Sequence, residues 1–451
     1  MWTGIFRRLE EPAGVPLAVW LLLAGIATNL VNGASGYLGL PISPDRLLIP
    51  LALLLMAADG RRQVRLRPGR LHLLVGALVA WTLASMAWYG NLADQVAFFA
   101  FLDRLLMPFV LYLSAPWFFH TKRHRDLLLA LLTGIALYLG LTAVLEMYAP
   151  GLVFPRYIVD AAVGMQFGRA RGPFAAAEAM GMACVVCGFA AGLQAKRARG
   201  IWRAVATVAA VLAFVGVALT LTRSTWVGAA AGVVAAPLVS PWLRRWIPAG
   251  VGAAGLVGTA LVLSIPQIGD TAVRRFEAAS SVYDRLGSND AAFALLADRP
   301  LTGIGWRRFY PDGSDWFRQS DAYPMNNVVI EIHNVLLSRA AELGIPAALV
   351  LLAIWVLGPL RTVRHPVTGD LEGWRLLTAA TFAAWVFTGL FGPLALPFPT
   401  YVVWLIAGVA AVPDLSCPSL AHDSSVRPMA APSPPKQPER DEVETTAREH
   451  V

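Results

Sequence analysis

Long apolar runs alternate with short polar connections along almost the whole chain. A helix needs about 20 residues, at about 1.5 Å each, to cross a hydrocarbon core about 30 Å thick. Twelve runs approach or reach that length: 16–34, 42–58, 71–90, 98–119, 126–148, 175–195, 203–221, 225–240, 246–265, 335–360, 374–392 and 396–412. The pattern predicts an all-α polytopic integral membrane protein of about twelve transmembrane helices. Two connections break the rhythm, one at about 149–174 and a larger one at about 266–334. A loop as long as the second needs a function or structure of its own, and short helices are expected inside it. The transmembrane domain is therefore read as 1–412. The remainder, 413–451, ends in SPPKQPERDEVETTAREHV, too rich in Pro, Ser, Glu and Lys to bury a core, and is expected to be a disordered cytoplasmic tail.

Composition agrees with a membrane setting: 57% of residues are hydrophobic and 15% charged, outside the mix of a soluble domain. The net charge of +8 would suit nucleic acid, but its placement argues against that partner. Arg61, Arg62, Arg65, Arg67 and Arg70, then Lys122, Arg123 and Arg125, then Lys196, Arg197, Arg199 and Arg203, then Arg244 and Arg245, then Arg361, Arg364 and Arg375 fall in alternate connections. The opposite connections at 35–41, 90–94 and 393–396 carry no Lys or Arg, so the positive-inside rule puts both termini in the cytoplasm. Arg7 and Arg8 precede the first run without a small-residue cleavage site after it, which reads as a retained helix. Three cysteines make no disulfide framework, and Cys184 and Cys187, on an alanine-rich run, read as small packing residues.

The two long connections are basic although they lie on the outer side. The first holds Arg156, Arg169 and Arg171; the second holds Arg274, Arg275, Arg285, Arg299, Arg307, Arg308, Arg318 and His333. Arg223, in LTLTRSTWVG, joins them from a short outer turn without a neighbouring carboxylate. Arginines against the topological preference are paired or functional, and together they suggest a cleft for an anion. Arg299, Arg307, Arg308 and Arg318 have Asp298, Asp312, Asp315 and Asp321 nearby and read as solvated pairs. Arg171 precedes Gly172 and Pro173, a turn that lets a guanidinium and the backbone meet a bound group together, or else a loop held by an ion pair. Asp103 and Arg104, inside a run, are expected to satisfy neighbouring helices.

His333 and Asn334 stand where the large loop gives way to the run 335–360, which would make one helix about 39 Å long at about 1.5 Å per residue. Its first turns would project outward, with Arg339 and Glu342 three apart on one face. Asn334 fits a helix cap. The positive end of that helix and the nearby arginines favour a neutral His333 able to accept a proton; a histidine that merely hydrogen-bonds the loop is the other reading.

EIHNVLLSRAAELGIPAALVLL resembles a signature of the O-antigen ligase and polymerase family of bacterial surface polysaccharide assembly, in which His-Asn opens a helix followed by Glu-Leu-Gly. DRLGSNDAAFALLADRPLTGIGWRRF is similar to that family's arginine, amphipathic helix and Pro-Leu-x-Gly-x-Gly before an aromatic residue. LTRSTWVGAAAG resembles its Thr/Ser-Arg-Ser/Thr element, and RARGPFAAAEAMG its Arg-x-Gly-x-Phe turn, departing from it at Glu178 where relatives carry an Asn-Pro-like segment. The resemblance covers about 169–360; residues 1–150 share only hydropathy.

The resemblance implies a glycosyltransferase of the bacterial inner membrane that moves a glycan from a polyprenyl-diphosphate carrier to a hydroxyl of a lipid-core or glycan acceptor at the outer face. Membrane lipid is the other expected partner. His333 would be the base, Arg223 a second catalytic group, and Arg171, Arg285, Arg169 and Asn334 would bind the diphosphate or glycan. With no carboxylate clearly placed as a nucleophile, a single inverting displacement is expected. Asp312, Asp315 and Asp321 lack a tight Asp-x-Asp spacing, so neither metal nor other cofactor is expected. Ligation, polymerisation and protein O-glycosylation differ only in acceptor and stay open. A transporter of lipid-linked glycans is the rival class, although no internal repeat of the kind transporters carry is evident.

Overall fold

A computed structural model describes residues 14–58, 69–164, 168–240, 244–245, 252, 280–318, 322–324, 330–365, 369–392 and 396–411. Among them the regular structure is helical: α1 Leu17–Thr28, α2 Asp45–Ala58, α3 Arg70–Trp88, α4 Gln95–Phe118, α5 Lys122–Tyr148, α6 Ala177–Arg197, α7 Gly200–Leu219, α8 Arg223–Val239, α9 Ser280–Asp298, α10 Val335–Leu343, α11 Ile345–Arg364, α12 Asp370–Leu390 and α13 Pro397–Ala410. A 3-10 segment, Asn29–Leu38, extends α1, and a π turn, Leu102–Leu106, interrupts α4.

Seven helices among the described residues are long and apolar enough to cross a membrane: α1 with its extension, α3, α4, α5, α6, α7 and α11. The runs expected at 42–58, 225–240 and 396–412 form the shorter α2, α8 and α13, of 14, 17 and 14 residues. The run at 374–392 is part of α12. The run at 246–265 lies outside the described residues except for Gly252, as do the first part of the large loop and the tail from 413.

Small residues let the helices approach closely, as packing in a membrane requires where lipid offers no hydrophobic drive between apolar faces. A Cβ on Gly140 of α5 would lie 2.4 Å from the Leu212 carbonyl carbon of α7. Gly228 and Gly232 of α8, four apart, would meet Thr388 Oγ1 at 2.3 Å and the Ala380 carbonyl oxygen at 2.7 Å on α12. Helices α6 and α13 are buried nearly all round, so they form the interior against which the others pack. Cys184 and Cys187 are buried and unbonded on α6, in keeping with a packing role. Asp103 serves neighbouring helices, accepting from Arg46 Nη2 at 3.0 Å and Tyr401 Oη at 2.9 Å. At one end of the bundle Arg125 and Arg197 both pair with Asp370, at 2.7 and 2.9 Å, so basic connections from distant parts of the chain gather on one face.

The single helix expected over 335–360 is two helices. Gly344 adopts φ 89°, a left-handed conformation that glycine tolerates, and Pro346 then opens α11. Hydropathy alone runs straight through this break. Arg339 and Glu342 do pair, at 2.7 Å, but both are buried within the protein and do not extend into water.

Candidate functional site

The glycines of the large loop lock its second half to the junction of α10 and α11. The Ile304 and Gly305 amides donate to the Ala341 and Glu342 carbonyls, each at 2.9 Å, and the Ile345 amide donates to the Pro300 carbonyl at 2.8 Å. A Cβ at Gly303 would lie 2.4 Å from the Ala341 carbonyl oxygen, and one at Gly344 would lie 2.0 Å from that of Leu301, so the contact accepts only glycine on either side. Trp306 then enters the first half of the chain: it is fully buried, donates from Nε1 to the Ala97 carbonyl at 3.0 Å and lies beneath the Arg339 guanidinium. Asn91 and Trp81 donate to the Trp306 and Leu343 carbonyls at 2.7 and 2.9 Å. The Pro-Leu-x-Gly-x-Gly and Glu-Leu-Gly runs therefore build the platform on which the site stands.

On that platform Asn334 caps α10, its Oδ1 accepting from the Leu336 and Leu337 amides at 3.1 Å each. His333 precedes it, half-buried, with Nδ1 2.7 Å from the main-chain oxygen of Glu331. A carbonyl can only accept, so Nδ1 carries the hydrogen and Nε2 is the basic nitrogen of the neutral ring. Burial first, and then the Arg285 guanidinium, push the His333 pKa below the ordinary histidine value, while Glu331 and Asp284 oppose them. Both the burial and the neighbouring guanidinium favour the neutral ring.

Arg285, from α9, ties the other groups together. It lies within electrostatic reach of His333, of Arg223 at the first turn of α8 and of Glu178 in the first turn of α6. Its own pKa is lowered by burial, with Glu178 working against that and Arg223 adding to it. Ser224 Oγ donates to Glu178 at 3.4 Å, and the carboxylate is pressed against Gly392, where a Cβ would sit 2.1 Å from Oε1. Four segments distant in sequence thus bring two guanidinium groups, a carboxylate and an imidazole to one end of the bundle.

Arg171 stands apart from the expectation for it. Its side chain is buried, Nη1 and Nη2 donate to the Val163 and Ile158 carbonyls at 2.6 and 2.7 Å, and Nε faces Glu146 at 3.6 Å. The Arg171 and Gly172 amides also donate to Glu146, at 2.9 Å each. The ion pair that holds a loop is thus the reading the geometry supports, and Arg171 fastens the segment after α5 to the end of that helix. Arg169, two residues earlier, is half-buried and its Nε meets no acceptor among the described residues. The Ala170 amide donates to the Leu219 carbonyl at 3.1 Å, which brings this segment beside the turn that leads to Arg223.

Sequence reasoning did not single out Glu331, and it read Arg307 as a solvated partner of the loop aspartates and Arg104 as serving neighbouring helices. The Glu331 carboxylate is held between Arg104 Nη1, at 3.3 Å, and Arg307 Nη1. Burial alone would raise its pKa, but the two guanidiniums outweigh this and hold it at about 2. Arg307 is therefore not a solvated partner of the loop aspartates, although Arg308 does pair with Asp312 at 2.5 Å. The non-glycine residues with positive φ among those described are Ala175, Leu221 and Arg307, at 53°, 48° and 60°. Each lies beside one of the motif segments, and such backbone costs about 1–3 kcal/mol per residue and persists where the surroundings impose it.

Residues 208–352 match the model of the O-antigen ligase family. The match takes in Arg223, Arg285, Glu331 and His333, and begins after Arg171 and Glu178. It supports an O-antigen ligase-related family for the chain and implies glycan transfer of the ligase or polymerase type. The match and the apolar helices together indicate a membrane protein, and the family implies, in general, a lipid-linked glycan and a lipid A-core as partners. No curated protein matches the chain.

Proposed function

We propose that this end of the bundle joins a glycan, carried on a polyprenyl diphosphate, to a hydroxyl of a lipid-core or glycan acceptor at the outer face of the bacterial inner membrane, with both termini inside. The observation that carries the reading is a His333 ring with its basic Nε2 defined, set beside the Arg223 and Arg285 pair. As the acceptor oxygen attacks the anomeric carbon, Nε2 takes its proton, the new C–O bond forms, and the old anomeric C–O bond breaks with its electron pair on the diphosphate. Arg223 and Arg285 meet the charge that develops there, since a guanidinium offers planar donors to phosphate oxygens and stays charged. Arg169 is the next candidate for the diphosphate. Asn334 keeps its oxygen on the cap, so its contribution is to hold the His333 backbone in place. One displacement inverts the anomeric centre.

The test is transfer from a defined polyprenyl-diphosphate glycan by purified full-length protein in lipid. His333→Ala is expected to lose about 10²- to 10⁴-fold in turnover, the usual range for a general base, at unchanged membrane abundance. Near-normal turnover in that variant would end the reading. Glycan profiling of a deletion strain then separates the acceptors: single repeats on the lipid core mark a polymerase, and long chains left on the carrier mark a ligase.

A further inference from the structure

The Arg104–Glu331–Arg307 group adjoins His333 through Glu331 and is not among the groups assigned to the diphosphate. We infer that Glu331 is a positioning residue for His333, held in register by Arg104 and Arg307, so that a residue ahead of the family match helps to set the geometry of the base. This rests on His333 being the base of the proposed transfer. The main-chain oxygen that accepts from Nδ1 at 2.7 Å belongs to Glu331, so whatever fixes residue 331 fixes the ring. The side chain of the same residue is clamped from two sides, by Arg307 from 24 residues upstream and by Arg104 from 227 residues upstream.

Both holders sit on unusual backbone. Arg104 projects from the π turn Leu102–Leu106 of α4, a local widening often found at functional sites. Arg307 has φ 60°, a conformation that is uncommon outside glycine and that follows the buried Trp306 anchor. The clamp therefore joins α4, the large loop and the approach to α10 at one carboxylate. It has an electrostatic consequence as well. The groups that face the imidazole are Arg285 and Asp284 from α9 and Glu331 from its own segment; Glu331 favours the imidazolium that exists once the acceptor proton has moved to Nε2. Losing the carboxylate would loosen the ring and weaken it as a base at once.

Full-length Glu331→Gln, Arg307→Lys and His333→Ala proteins in lipid nanodiscs decide the matter, with turnover against pH and the 15N signals of the histidine ring as readouts. Wild-type protein is expected to show His333 protonated at Nδ1. Glu331→Gln is expected to lose roughly ten- to a hundredfold in kcat, the scale typical for partners that orient a working histidine. Its KM for the donor should stay constant, its acid limb should move to lower pH, and a second ring tautomer should appear. If Glu331→Gln does not accumulate, Arg307→Lys reads the same signature in weaker form. A wild-type pH limb and a single Nδ1–H tautomer in the variant, or a rise in KM at constant kcat, would overturn the role of Glu331 while His333→Ala stays inactive. Activity in His333→Ala would instead overturn the parent reading.

Discussion

Arg171 and Arg285 lie at the same end of the bundle, both in segments between the long helices and both withdrawn from water, yet their guanidiniums face different company. Arg171 directs its nitrogens at two carbonyls and a carboxylate of its own loop and the adjoining helix end. Arg285 lies within electrostatic reach of a second arginine, an imidazole and the Glu178 carboxylate, with no two-carbonyl cradle of the Arg171 kind among the described residues. The first arrangement is complete as it stands. The second sets two guanidiniums near one another, which is what the proposed diphosphate site asks of them.

Removing Arg171 should give the largest effect, and on folding. Arg171→Ala leaves Glu146 buried without its cation, a change that costs about 3–5 kcal/mol when a buried pair is broken from one side. Folded protein recovered from membranes should fall steeply, as read by size-exclusion yield and thermal unfolding in detergent. Normal yield with lost activity would instead move Arg171 into the site. Arg285→Gln should reverse that outcome, with normal yield and turnover down by about 10²-fold or more, as loss of one preorganised donor to developing charge does. The same variant sharpens the electrostatics. His333 must be neutral to accept a proton, so the rate falls as pH drops through its lowered pKa. Arg285 is one cause of that lowering, and removing it should shift the acid limb to higher pH, with burial still holding part of the depression. The smallest expected effect is that of a chelator: transfer should be unchanged by EDTA and unaffected by added magnesium or manganese, because charge neutralisation is assigned to arginine. Loss on chelation with rescue by a divalent ion would break the assignment.

The membrane class was legible in hydropathy because desolvation of a helical backbone demands long apolar runs. The long-range company of Arg223 was legible for a related reason: a cation between apolar helices, with no carboxylate in its local sequence, is expected to answer to something distant, and Arg285 lies within its reach. His333 and Asn334 were marked by their place before an apolar helix, and the cap is local chemistry that a sequence can display. Arg171 was not legible, because Arg-Gly-Pro describes a turn and says nothing of whether the guanidinium points into the loop or out of it. Glu331 was silent for want of range: one of its partners is 227 residues away, and no local pattern encodes that pairing. Glu178 entered only as a departure from the family turn, although its position at the first turn of α6 brings it to Ser224 and Arg285. Gly344 was visible as Gly-Ile-Pro, yet an average over apolar residues passes through a single left-handed residue without a trace.

The glycine lock between residues 300–305 and 341–345 sets a rule for anyone who would exchange parts between relatives. Grafting a foreign outer segment onto this scaffold to redirect acceptor choice will succeed only if the graft carries both faces of the lock together, and only if the host keeps the side chains of Trp81 and Asn91 that receive them. A chimera joined between Trp306 and Val335 separates the two faces of the lock, whereas junctions placed within α8 and after Pro346 keep both on one side.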